Sequence, residues 1–348
     1  IKGNAHYTTG GSFRVEDLAG NLGQLTSPED PVIRASGDVV LGGYVGASLH
    51  ILAGGSVTIP GGVIIQSPDP VNGIVETITL SDGTTILVDG KTQPTLDIRA
   101  GTTAFDIPDI QGIPTTGIIV PPLPNPVGIP TSADITIGGI FFNAPDGVAL
   151  ITNQYQPNLS LSGGEITING VSGVAISPNP ENPTATIGSV TIDSRDSITV
   201  NGIVNASSQV GKGGDITLIG GADIVTSGTM TTASSAGNGG SVVINSRSGI
   251  AINGQINTSS ISPSSPLPPG NGGDITVIGD EDIVTADIFS IGAVGGSIKL
   301  RSQGAIAWDN NLIGSASLSP IPPAPNLRGG DIQIDANSVS LTNGARVI

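Results

Sequence analysis

One phrase constrains the fold of this 348-residue chain more than any other feature: Gly-Gly-polar-aliphatic-x-aliphatic, repeated down its second half. It reads Gly163-Gly164-Glu165-Ile166-Thr167-Ile168, then Gly213-Gly214-Asp215-Ile216-Thr217-Leu218, then Gly239-Gly240-Ser241-Val242-Val243-Ile244 and Gly272-Gly273-Asp274-Ile275-Thr276-Val277. Gly295-Gly296-Ser297-Ile298 and Gly329-Gly330-Asp331-Ile332 continue the series, and Ile187-Gly188-Ser189-Val190 is a degenerate copy. The polar markers at 165, 189, 215, 241, 274, 297 and 331 are 24, 26, 26, 33, 23 and 34 residues apart. Both long intervals hold a Pro-rich insert, near 262–270 and 319–326; without them the period is about 25. A fixed period of this size marks a solenoid.

Each period carries three aliphatic columns. The first is Ile166, Val190, Ile216, Val242, Ile275, Ile298 and Ile332. Eight residues on comes the second, Val174, Ile198, Ile224, Ile250, Ile283 and Ile306; about six further on comes the third, Val204, Met230, Ile256 and Leu312. The Ile283/Ile288 step is one residue short. Around each column residue the sequence alternates, as in Ile198-Thr199-Val200, which is the pattern of a half-buried strand. Three short strands per period, each pairing in parallel with its equivalent one period on, predict an all-β, right-handed parallel β-helix of on the order of ten to twelve coils. The Gly-Gly pairs, including Gly54 and Gly55, are its tight coil turns.

The first half reads as the same architecture with excursions. Residues 1–66 are coils, and 67–95 are a hairpin excursion in which 74–80 and 84–88 flank Ser81-Asp82-Gly83. Residues 96–103 return to a coil strand, 104–131 form a Pro-rich extended loop, and 132–348 are regular coils. Composition agrees: 52 Gly and 26 Pro punctuate the chain, and only 11% of residues are charged against about 25% in ordinary globular proteins. The start at Ile1 and the strand-like end Ala345-Arg346-Val347-Ile348 read as a piece of a longer polypeptide that continues at both ends.

The charge balance removes several function classes. A net charge of −16 argues against nucleic acid, whose phosphates need basic stripes. No apolar run approaches the ~18 residues of a spanning helix, so membrane insertion is not expected. Zero cysteines exclude disulfides and thiol chemistry. Of the two histidines, His50 lies in Ser48-Leu49-His50-Ile51-Leu52, where alternation points it away from the aliphatics into a surface or stacked structural role; neither it nor His6 has a second histidine nearby for a metal site. The acids that could serve glycan cleavage are Asp193 and Asp196 with Arg195, Asp215, Asp223, and Asp280, Glu281 and Asp282. Asp215, Asp274 and Asp331 occupy one repeat position, which points to capping of backbone N–H groups instead. Gly211-Lys212-Gly213-Gly214-Asp215 looks superficially like a calcium nonapeptide but has the wrong spacing. No catalytic residue, metal or cofactor is assigned. The nine aromatics, with Trp308 alone in its strand, form no stacking row for sugars.

The stretch Gly46-Ala47-Ser48-Leu49-His50-Ile51-Leu52-Ala53-Gly54-Gly55-Ser56-Val57-Thr58-Ile59, followed by the Gly-Gly-Asp-Ile-x-Ile repeats, resembles filamentous-haemagglutinin-like exoproteins of the two-partner-secretion type, most closely cyanobacterial members. The resemblance implies secretion through an outer-membrane partner, a right-handed β-helical rod, and a role in adhesion, aggregation or surface-layer formation. The expected protein is an extracellular, cell-surface structural segment and not an enzyme, with self-association or other surface molecules and glycans as partners. A sheath filament assembling from many copies and a secreted polysaccharide-degrading β-helix are the alternatives.

Overall fold

The computed structural model describes residues 6–71, 73–105, 130–144, 146–172, 188–208, 211–261, 270–309, 311–317 and 329–348. No described residue is helical. The strands form three parallel sheets of 11 strands each, and the chain visits the sheets in turn. Ile216–Gly220 lies in the first sheet, Ile224–Thr226 in the second and Met230–Thr231 in the third, before Val242–Ser246 re-enters the first. This is a parallel β-helix with three short strands per coil. The chain divides into two compact units, Ile1–Asn169 with Ile192–Asp196, and Gly170–Thr191 with Ser197–Ile348.

In the second unit the register stacks equivalent aliphatics. Ile216, Val242, Ile275, Ile298 and Ile332 are successive partners in the first sheet, and Val190 is buried in that sheet's strand Ser189–Ser194. Ile198, Ile224, Ile250, Ile283 and Ile306 stack in the second. Val204, Met230, Ile256, Ile288 and Ile313 stack in the third. All of these are buried except Ile332, which is half-buried in the last coil. Each buried aliphatic side chain contributes about 1.5–3 kcal/mol, added coil by coil.

Three column positions need correction or lie outside the described residues. Leu312 does not occupy the third column; Ile313 does, and Leu312 is only half-buried. The turn between the second and third sheets has no fixed length. Ile252 leads to Ile256 in one coil, Thr285 to Ile288 in the next, and Trp308 to Ile313 in the one after, so constant spacing misplaces the last. Ile166 belongs to the second sheet, not the first, because it pairs with Ile135, which pairs with Val57. The first-sheet strand of its coil is Val148–Thr152. Val174 lies outside the described residues, as do 106–129 of the Pro-rich stretch and most of both Pro-rich inserts.

The shift of Ile166 has a physical cause. Gly54-Gly55 and Gly163-Gly164 turn the chain from first sheet to second, whereas Gly213-Gly214, Gly239-Gly240, Gly272-Gly273, Gly295-Gly296 and Gly329-Gly330 turn it from third to first. Both corners need a residue without a side chain and a polar residue that reaches the adjoining coil, so one phrase serves both. At the third-to-first corner the need is close approach: a Cβ on Gly240 would lie 2.0 Å from the Gly214 carbonyl oxygen, and one on Gly273 would lie 1.9 Å from that of Gly240. At the first-to-second corner, Gly163 has a φ of 70°.

Acidic side chains at the corners tie each coil to the next. Asp215 Oδ1 accepts the Ser241 amide at 2.8 Å, and Asp274 Oδ1 accepts that of Ser297 at 2.8 Å. Asp38 does the same for Ser56 (2.8 Å), and Asp134 for Gly164 (2.7 Å) and Glu165 (3.0 Å). These are the backbone caps that the repeat position of Asp215 and Asp274 predicts. Asp331 holds the equivalent place in the last coil.

The first unit carries the excursion. Val75–Thr79 and Thr85–Asp89 pair antiparallel, closed by a turn in which Gly83 has a φ of 86°. This hairpin leaves the coil after Val63–Ser67 and returns at Thr95–Arg99.

Candidate functional site

Parallel, in-register pairing sets side chains of adjoining coils about 4.8 Å apart on the same face. In the first sheet His50 is partnered by Val32 on one side and Asp97 on the other, and Leu52 by Arg34 and Arg99. The inward set of these strands, Ile33, Ile51, Ile98 and Ile151, fills the interior of the coils. Their outward set is therefore His50, Asp97 and Arg99 among aliphatics, and it is fully buried as well.

These outward groups form a chain of ions. His50 Nδ1 lies 3.0 Å from Asp97 Oδ2, and its Nε2 lies 3.1 Å from Asp30 Oδ2. Arg99 grips Asp97 with two donors, Nε to Oδ1 at 2.9 Å and Nη2 to Oδ2 at 2.7 Å. Its Nη1 reaches Glu76 on the hairpin at 2.8 Å. Tyr155 donates its hydroxyl to Glu76 Oε1 at 3.0 Å, and the guanidinium carbon sits 4.4 Å from the centre of its ring. At the other end the Asp30 amide donates to Asp69 Oδ2 at 2.7 Å.

The electrostatics follow from burial set against neighbours. Burial alone would lower the His50 pKa, but the carboxylates of Asp30 and Asp97 outweigh it and push it up to about 9. Burial raises Asp30 to about 6 against the pull of His50, with the Asp69 charge adding to the rise. Burial would also raise Asp97, yet Arg99 and His50 bring it down to about 2. Burial and the Glu76 charge raise the Tyr155 hydroxyl. His6 stands apart from this chain, in the strand His6–Thr9, where burial and Arg34 lower its pKa.

The surface-or-stacked reading of His50 is right about direction and wrong about exposure. It does point away from the interior, but the hairpin covers it: a Cβ on Gly90 would stand 2.8 Å from His50 Nε2 and 2.9 Å from Asp30 Oδ2. With His50, Asp30, Asp97 and Arg99 all sealed, the arrangement has no face for a substrate. What it can do is bind the hairpin to the coils and hold a proton between two carboxylates.

The acids considered for glycan cleavage are split between the two units. In the first, Asp193 is buried and accepts the Ser81 amide at the hairpin tip, 2.9 Å away. Arg195 clamps the loop before Gly163, donating to the carbonyls of Asn158 (3.1 Å), Leu161 (2.8 Å) and Gly163 (2.6 Å). Asp196 follows it, its amide bonded to Ser194 Oγ at 3.2 Å. In the second, Asp223, Asp280, Glu281 and Asp282 come together along a groove of about 610 Å³ floored by Val225, Ala251 and Val284. Asp223 accepts the Gly249 amide (3.0 Å) and Asp282 that of Ala305 (2.7 Å), while Asp280 accepts from Gln303 Nε2 (2.7 Å) and Glu281 from Ser248 Oγ (3.1 Å). Asp215 lies outside this groove, paired with Lys212 Nζ at 3.1 Å. Among the described residues no group of three or more His, Asp or Glu could hold a metal ion. Trp308 points inward and is buried.

Sequence reasoning missed Asp30, Asp69, Glu76, Asp97, Arg99 and Tyr155. The signal available was the loss of alternation: Ile51-Leu52-Ala53 and Val148-Ala149-Leu150-Ile151 run without polar spacers, the pattern of a strand covered on both faces. The chain matches no protein family, no curated protein and no solved structure.

Proposed function

We propose that this chain is a structural segment of a secreted, cell-surface adhesin or fibre, in which β-helical coils form the scaffold and loops at the coil corners make the contacts. The observation that carries this reading is the employment of the acids. Asp38, Asp134, Asp215, Asp223, Asp274 and Asp282 each hold a backbone amide of the adjoining coil. Carboxylates that follow the repeat serve the repeat, and a β-helix built this way is a scaffold before it is a catalyst. Its partners on this reading are further copies of the protein or glycans of neighbouring surfaces, engaged weakly and many at a time. Export through an outer-membrane partner belongs to the same proposal.

Immunogold electron microscopy on intact cells that make the protein tests it. Gold along fibres or over a continuous outer coat is the expected result, and its distribution separates adhesin fibre from sheath filament. Antigen found only free in the medium would overturn the anchored reading. The four carboxylates of the Val225–Val284 groove favour a second reading, a secreted polysaccharide-degrading enzyme. That reading requires depolymerisation of an acidic glycan by the chain, lost in the Asp223→Asn and Asp282→Asn variants.

A further inference from the structure

In an Asn-Gly pair the backbone nitrogen of the glycine can attack the asparagine side-chain amide with no side chain of its own in the way. The chain holds six such pairs with both residues described: Asn169-Gly170, Asn201-Gly202, Asn238-Gly239, Asn253-Gly254, Asn271-Gly272 and Asn343-Gly344. The attack needs a glycine amide that is not already donating and an asparagine side chain that is free to turn. The structure sorts the pairs on both counts. The Gly239 amide donates to the Asn271 carbonyl at 2.8 Å, and the Gly272 amide donates to the Val294 carbonyl at 2.8 Å. Asn238 Oδ1 is occupied as well, accepting the Asn271 amide at 2.9 Å. Asn343 is held by its side chain, Nδ2 donating to Asp309 Oδ1 at 2.7 Å. Asn169 and Asn201 each engage a further group.

Asn253 is different. It is exposed at the corner between the second and third sheets, and among the described residues neither its side chain nor the Gly254 amide has a hydrogen-bond partner. Its own amide donates to the Thr226 carbonyl of the preceding coil at 2.8 Å, so the main chain is fixed up to the reacting residue. Past the corner, the Gln255 carbonyl accepts the Met230 amide at 2.8 Å, and the Ile256 amide donates to the Asp287 carbonyl at 2.9 Å. Gly254 and Gln255 alone span the gap between anchored Asn253 and anchored Ile256. There is no slack in the span: a Cβ on Gly254 would stand 2.1 Å from the Gly228 carbonyl oxygen.

We propose that Asn253 is a self-modification site, where the side-chain amide converts to an aspartyl or isoaspartyl carboxylate and the isoaspartyl product loosens the corner. Solvent base takes the Gly254 amide proton and the nitrogen attacks Asn253 Cγ. An N–Cγ bond forms, the Cγ–Nδ2 bond breaks, and Nδ2 leaves as ammonia. Water then opens the cyclic imide. Opening at the Cγ–N bond restores the ordinary main chain with an aspartate side chain. Opening at the backbone carbonyl leaves the chain running through Cβ and Cγ, with the former carbonyl carbon as the free carboxylate. That second product adds one carbon, about 1.5 Å of bond, to the main chain. The extra length falls between the anchors at Asn253 and Ile256, so the Gln255 carbonyl must shift and release the Met230 amide.

Peptide mapping by mass spectrometry of the intact chain, aged in mildly alkaline buffer, tests the site. Conversion is expected to be about five to ten times faster at Asn253 than at Asn238 or Asn271, the factor by which one backbone hydrogen bond holds back the attacking nitrogen. In urea, where those bonds are gone, the three sites are expected to convert at similar rates. Folded protein that converts any other of the six pairs ahead of Asn253 overturns the proposal. So does folded protein that leaves Asn253 intact while the unfolded chain converts it. Freshly prepared Asn253→Asp supplies the charge without the added carbon. The Met230 amide is expected to lose exchange protection in the isoaspartyl fraction and to keep it in Asn253→Asp. Protection unchanged in the isoaspartyl fraction, or lost equally in Asn253→Asp, overturns the loosening of the corner by the longer chain.

Discussion

Replacing Arg99 by Met is the most informative single change in the first unit. Arg99 is buried, holds Asp97 through two hydrogen bonds of 2.9 and 2.7 Å, and reaches across to Glu76 at 2.8 Å. Methionine fills much of the same volume and offers no donor. The loss is then the cost of leaving the Asp97 carboxylate sealed beside His50 alone, about 3–5 kcal/mol for breaking a buried pair from one side. Glu76 adds little to this, since its side chain is 13% exposed and can turn to water. The double variant Asp97→Leu/Arg99→Met removes both charges and should recover more than half of the loss, because an apolar replacement of a buried ion pair is often neutral. Urea titration followed by hydrogen exchange at Thr95–Arg99 and at the hairpin gives the local free energies, which a single global transition would blur in a repeat protein. A cost below about 1 kcal/mol for Arg99→Met, or a double variant no better than the single, would refute the view that Arg99 is the electrostatic tie between coil and hairpin.

Other expectations follow from the coils. Gly240→Ala sets a methyl 2.0 Å from a backbone oxygen and should cost toward the upper end of about 1–3 kcal/mol, read by urea midpoint; an unchanged midpoint would mean that the corner can spread. Ile224→Asp buries a carboxylate in the interior column and should cost about 4 kcal/mol or more, with exchange protection falling at both neighbouring strands, Ile198–Val200 and Ile250–Ile252. Loss confined to Ile224–Thr226 would contradict coupling between coils. Asp215→Ala removes the cap on Ser241 and should cost about 1 kcal/mol at that corner, measurable as faster exchange of the Ser241 amide.

What the sequence made legible was decided by how uniformly each constraint repeats. The columns through Ile216, Ile224 and Met230 were readable because every coil from there to Ile298 puts an aliphatic in the same inward place. The hairpin was readable because Ser81-Asp82-Gly83 is a local turn signal needing no knowledge of the coils. Ile166 was misplaced because two corners of the coil share the same steric demand, and composition cannot say which corner a Gly-Gly pair serves. Leu312 was misplaced because one turn is a residue longer, and adjacent aliphatics leave either register plausible on hydropathy alone. The ionic chain was illegible for a different reason. Asp30, Glu76, Asp97 and Arg99 are scattered over 70 positions and meet only once the strands are in register and the hairpin has folded back. Nothing local in Thr95-Leu96-Asp97-Ile98-Arg99 separates an exposed ion pair from a sealed one.

The hairpin also changes how the first unit answers to tension. A bare solenoid transmits load from each coil to the next alone, so a pull along the stack peels it one layer at a time. The hairpin touches Asp30, Arg99, Tyr155 and Asp193, which belong to different turns of the chain, and so it bridges layers that share no border. Tearing one of those turns loose means breaking the bridge as well. Under an optical trap such a stretch would give way in one large event, whereas coils whose described residues supply no such bridge, such as those from Ile216 to Ile256, would yield in a series of small ones.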